Sequence, residues 1–101
     1  MQVMIDLCVV PMGVGVSVSR HVAACEQVIA EAGLKSQLHP YGTVIEGEWE
    51  AVMAAVKRCH EVVHGMGAPR IFTTLKIGTR TDRAQTMEDK VSSVEARLRG
   101  E

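Results

Sequence analysis

Apolar and polar residues alternate from the start of the chain. Val3, Ile5, Leu7 and Val9 share one parity and Gln2, Met4, Asp6 and Cys8 the other, the period of a strand with one apolar face. After the loop PMGVG the period lengthens. Val18, Val22, Cys25, Ile29 and Ala32 recur at helical spacing, with Ser17 or Ser19 placed to cap this first helix and Gly33 placed to end it. LKSQLH and TVIE flank PYG, so Pro40 and Gly42 are expected to turn the chain between two short strands. Trp49, Val52, Met53, Val56, Cys59 and Val63 form the stripe of a second helix that should stop near Gly65 and Gly67, with Trp49 in the core. RIFTTLKI, rich in β-branched and aromatic residues, reads as the fourth strand. Met87, Val91, Val94 and Leu98 line a last helix, with Thr86 and Asp89 spaced as a capping pair.

The predicted order is β-α-β-β-α-β plus a C-terminal helix, an α+β ferredoxin-like sandwich. Helices would then cover one face of the sheet. Alternation assigns Met4, Asp6, Cys8, Gln37, His39, Val44, Glu46, Phe72, Thr74 and Lys76 to the other face. Half apolar and half polar, that face is too greasy for water and too polar for an ordinary core. A second subunit is expected over it, with a polar pocket at the interface.

A chain of 101 residues, 47% of them hydrophobic, makes one domain over residues 1–101. A domain of that size buries only about 60 to 70% of its unfolded surface, which favours association. With a formal net charge of -1 and no basic stripe, nucleic acid is not an expected partner. The opening MQVMIDLCVV has neither a basic n-region nor the length of a membrane span, so the sequence reads as cytoplasmic, with no membrane partner. Cys8, Cys25 and Cys59 lie far apart among apolar residues and read as buried, reduced thiols.

Several motifs invite chemistry. HEVVH, residues 60 to 64, matches the H-E-x-x-H zinc signature: His60 and His64 stand one helical turn apart and Glu61 would be the general base of a zinc-dependent hydrolase. The usual downstream histidine is missing, since His64 is the last one, and His60 falls on the buried stripe. Coincidence at a helix end is the favoured reading. Ser17, Ser19 and His21 lack an acid to orient the imidazole. PMGVGVS lacks the lysine of a P-loop, and Tyr41, Trp49 and Phe72 are too scattered to form a base-stacking platform.

Four stretches, PMGVGVSVS, PYGTVIEGEW, RIFTTLKIGTR and EDKVSSV, together resemble the small ferredoxin-like thiamine-binding family across nearly the whole chain. The most specific part is Gly42, Thr43, Glu46 and Gly47, supported by Pro11, Gly13 and Arg80. The resemblance implies a non-catalytic homodimer or homotetramer, formed through its sheets, that binds thiamine or its hydroxymethylpyrimidine part at a subunit interface. No further cofactor or metal is implied. Its role would be sequestration, storage or sensing; an oligomeric interaction domain without ligand is the other alternative. Gly78 stands where the family often carries an acidic residue.

The aminopyrimidine of thiamine offers donors and acceptors along one edge, and its thiazolium is a permanent cation. On that resemblance Glu46 would accept from the exocyclic amine or offset the cation, Thr43 would bond a ring nitrogen, and Gly47 would admit the ligand close to the backbone. Asp6 is a second anionic candidate, with Lys76 as its expected ion-pair partner, and Ser19 and Arg80 complete the set. Taken alone, Glu46 reads instead as an acid at the start of the helix that follows it.

Overall fold

The alternating apolar residues of the first segment become β1 (Gln2–Met12), in which Val3, Ile5 and Leu7 are buried on one side. The computed structural model describes all residues, Met1–Glu101. The remaining elements are α1 (Ser19–Glu31), β2 (Lys35–His39), β3 (Gly42–Glu48), α2 (Trp49–Gly65), β4 (Arg70–Gly78) and α3 (Met87–Leu98). The strands form one sheet in the order β2-β3-β1-β4, every neighbouring pair antiparallel. This is the ferredoxin-like βαββαβ arrangement with an added C-terminal helix, as the hydrophobic periods predict.

One sheet face carries the core. Ile5 lies opposite Ile45 on one side and Ile77 on the other, while Leu7 lies opposite Thr43 and Leu75. Against this face pack Cys25, Val28 and Ile29 of α1 and Val52, Cys59 and Val63 of α2, with Trp49 half-buried at the margin. Cys25 and Cys59 are buried and reduced, whereas Cys8 is only half-buried on the opposite, open face. The Cys59 thiol donates weakly to the Cys25 carbonyl. The hydrogen-bonding partnership with Cys25, reinforced by burial, pushes its pKa well up.

The first helix departs from its predicted stripe. Its N-cap is Val18 with no side-chain cap, and the hydroxyls of Ser17 and Ser19 lie 3.5 Å from each other. Inward-facing positions are His21, Cys25, Val28 and Ile29, while Ala32 is exposed. His21 lies one turn before Cys25 and two before Val28, on the same face, and so enters the core, where neither ring nitrogen has a hydrogen-bond partner. A small-residue stop does hold: Gly33 ends the helix with φ +70°, in the left-handed region that glycine enters freely. At the last helix, Thr86 and Asp89 form the expected capping box.

Candidate functional site

On the open face the antiparallel register sets residues side by side in rows. Gln37, Val44, Asp6 and Lys76 form one row, and Lys35, Glu46, Met4 and Gly78 the next. The connection from β4 to α3, residues 79–86, closes over these rows and bounds a cleft of about 1060 Å³. Its apolar floor includes Met4 and Val44, and its polar lining includes Asp6, Glu46, Lys76, Arg80, Arg83 and Lys90. A cleft of this size holds a small molecule.

Glu46 is the joint of this assembly. Its Oε1 lies 2.9 Å from Lys35 Nζ, and its Oε2 accepts the backbone N–H of Met87 at 2.8 Å. A carboxylate at a helix N-terminus is therefore present, but the helix is α3, reached across the open face, and not α2, which follows Glu46 in sequence. Lys35 also bonds Glu88 at 2.5 Å, so two carboxylates share one ammonium where α3 meets the sheet. Asp6 is organised differently. His39 Nδ1 accepts the Tyr41 N–H at 3.2 Å, which places the ring proton on Nε2, and Nε2 donates to Asp6 Oδ1 at 2.7 Å. Lys76 stands directly opposite Asp6 in register yet makes no ion pair with it; the partner of Asp6 is His39.

Arg80 lines the cleft and grips Asp82 through two bonds, Nε to Oδ1 at 2.7 Å and Nη2 to Oδ2 at 2.5 Å, while Nη1 donates to Gln85. The guanidinium pulls the Asp82 carboxyl down to about 2. The bidentate grip braces the β4–α3 connection that forms the cleft wall.

The structure thus brings Asp6, Glu46 and Arg80 together and separates them from Thr43, Gly47 and Ser19. Thr43 points to the helix face, 5% exposed, and its hydroxyl donates to Glu26 of α1 at 2.5 Å. The cause is strand alternation: if Glu46 faces the cleft, Thr43, three residues away, must face the other side. Gly47 also faces the helices, and a Cβ there would meet Leu34 Cδ2 at 2.9 Å and Val52 Cγ2 at 3.4 Å. Glycine at this position serves helix packing. Ser19 begins α1 beyond the C-terminal end of β1, whereas the cleft runs along the N-terminal half of that strand. Reading the residues missed Lys35, Arg83 and Lys90. Only Lys35 carried a signal, since it shares parity with Gln37 and His39; Arg83 enters through a connection without periodicity, and Lys90 through the seating of α3 over the open face.

HEVVH lies outside the cleft. His60 Nε2 bonds the Thr73 hydroxyl at 2.6 Å, His64 Nδ1 donates to the Ala68 carbonyl at 2.7 Å, and Glu61 lies 4.0 Å from Arg58. No group of three or more His, Cys, Asp or Glu side chains is arranged to hold a metal ion. No helix is long and apolar enough to cross a membrane.

The seating of α3 should depend on pH. Lys35 holds the Glu88 carboxyl below its ordinary value, and the Thr86 backbone N–H holds Asp89 down likewise. A depressed carboxylate stabilises the fold fully above its unfolded pKa of about 4 and loses that contribution as pH falls through the folded value. Amide-exchange protection at the first turn of α3 is expected to stay level above about pH 4.5 and to fall below it. A flat profile down to pH 3 would contradict these pairings.

Similar proteins cover the whole of this architecture. The family model "Thiamine-binding protein" matches residues 5–95. A UPF0045 protein of Synechocystis sp. is 64% identical over 98 residues, spanning 97% of this chain and 81% of that protein. The crystal structure of a hypothetical protein from Methanocaldococcus jannaschii superposes with a TM-score of 0.87 at 31% identity, covering 93% of this chain and 96% of the other. A Thermotoga maritima protein provisionally assigned to thiamine biosynthesis/salvage superposes with a TM-score of 0.80 at 26% identity, covering 93% and 99%.

Proposed function

The chain belongs to the thiamine-binding protein family, and from that premise we propose that it binds thiamine, or its hydroxymethylpyrimidine part, in the open-face cleft. The observation that carries this reading is the cleft's combination of an apolar floor with two carboxylates, Asp6 and Glu46, in its lining. A carboxylate has about four lone-pair sites, so each retains acceptor capacity for an amino group after its internal partner is satisfied. The flat pyrimidine would lie on Met4 and Val44 with its amino edge toward Glu46. No chemistry is assigned to the site, and the role is sequestration, storage or sensing.

We infer a subunit interface on the same open face on separate grounds. Val10, Met12 and Phe72 are exposed on the open face, Phe72 at 68%, and α3 leaves Val91, Val94 and Leu98 exposed as a stripe. Apolar surface on two elements of one chain is best buried by a second copy, as a dimer or tetramer. Sedimentation should give a mass that is a multiple of 11.0 kDa. Phe72→Asp combined with Val94→Asp should yield a folded monomer; an unchanged mass would exclude this interface.

The ligand test is calorimetric titration with thiamine and with hydroxymethylpyrimidine. Glu46→Gln or Asp6→Asn should weaken binding at least about tenfold, on the order of 1.4 kcal/mol. Thr43→Ala, on the helix face, should leave affinity within about twofold, since a side chain on the wrong face makes no contact. Absence of heat with both ligands, from folded protein, rejects the reading.

A further inference from the structure

The cleft is lined by four side-chain cations, Lys76, Arg80, Arg83 and Lys90, against two side-chain carboxylates, Asp6 and Glu46. Both carboxylates already have partners: Glu46 is ion-paired with Lys35 at 2.9 Å, and Asp6 accepts a hydrogen bond from the neutral His39 at 2.7 Å. Among the cations only Arg80 is matched, by Asp82. Lys76, Arg83 and Lys90 make no direct ion pair with any carboxylate of the chain, although Arg83 stands near enough to Asp82 and Asp89 to help hold both carboxyls down. They come from three places, β4, the β4–α3 connection and α3, and all face the same cavity. A cavity in which three cations without a direct ion pair face one carboxylate without a cationic partner, Asp6, favours an occupant that carries net negative charge over a bare organic cation.

We propose that the preferred occupant is a phosphate monoester of the ligand, with the pyrimidine edge toward Glu46 and the phosphate among Lys76, Arg83 and Lys90. The inference rests on the binding reading above and specifies its substrate class. Ammonium and guanidinium groups make charge-assisted bonds to phosphate oxygens, and a monoester carries roughly -2 charge above its second pKa of about 6. The zwitterionic balance also resolves the mismatch of charge: in a thiamine monophosphate the ester neutralises the thiazolium and leaves net negative charge for the cleft. Asp6 and Glu46 then act as acceptors for the amino group, not as counterions.

Calorimetric titration at pH 8 and low salt, with thiamine, thiamine monophosphate and inorganic phosphate as separate probes, tests this. The monophosphate is expected to bind at least tenfold tighter than thiamine, and the advantage should shrink as salt is raised because the cations are exposed. Lys76→Gln, Arg83→Gln and Lys90→Gln, all at exposed positions that leave the core untouched, should each weaken the monophosphate more than thiamine and so reduce its advantage. Thiamine binding as tightly as its monophosphate overturns the inference while leaving the binding reading intact. An advantage that all three variants retain overturns the placement of the phosphate. Inorganic phosphate binding as tightly as the monophosphate, with no heat from thiamine, shows an adventitious anion only and overturns both, as does silence from every probe.

Discussion

Replacing Ile45 by alanine is expected to lower the unfolding free energy by about 3 to 4 kcal/mol, the range for a large buried aliphatic that loses its transfer energy and leaves a cavity. Ile45 is fully buried, sits opposite Ile5 on the central strand, and belongs to the cluster that also contains Val52 of α2. No flexible neighbour on a packed antiparallel sheet can fill the space. For a domain whose total stability is roughly 5 to 15 kcal/mol, this is a large fraction, and Tm should fall by roughly 15 °C. Because Ile45 faces the helices, ligand affinity of the folded protein should be retained. Urea titration at fixed protein concentration, followed by calorimetry of the folded variant, reads both quantities. A loss below about 1 kcal/mol would mean that the sheet and helices are less tightly packed than described.

Gly42→Ala should destabilise by about 2 kcal/mol, as overpacking against backbone does, and should also impair the cleft. A Cβ on Gly42 would lie 2.7 Å from the Leu7 carbonyl oxygen and 3.0 Å from Asp6 Oδ1. The carbonyl belongs to the central strand and cannot move without breaking the ladder, so the strain passes to Asp6 and its bond with His39. The expected result is a lower urea midpoint together with weakened thiamine binding. Gly78→Ala is the control, since its nearest neighbour would be the Met4 carbonyl at 4.0 Å. If both variants matched the parent protein, the close approach of β3 to β1 at Gly42 would be refuted.

Glu46 shows how far the chain could be read without coordinates. Its parity placed it on the open face beside Asp6, and that placement holds because a strand has a period of two and β3 has no bulge between Gly42 and Glu48. Its partners were not readable. Lys35 meets it from β2 by cross-strand register, and Met87 by the return of a helix separated from Glu46 by 41 residues of chain. Thr43 shows the opposite case. A motif written along the chain groups Thr43 with Glu46, but the pleat sends them to opposite sides, so that only Glu46 reaches the cleft. His21 was hidden because an apolar stripe drawn through Val18 and Val22 passes over a polar residue, although His21 shares the buried face with Cys25, Val28 and Ile29 and Val18 lies outside the helix as its N-cap.

Local periodicity by itself determined the element order, the apolar face of β1, β3 and β4 and the capping of α3, because these depend on residues within one or two turns of one another. Tertiary structure alone decided which carboxylate is paired with which cation, that the β4–α3 connection forms a cleft wall, and that Lys76, Arg83 and Lys90 remain unmatched within it. Those outcomes depend on strand register and on chain segments far apart in sequence. Charge pairing acts over a few ångströms in space, and no pattern along the chain records that distance.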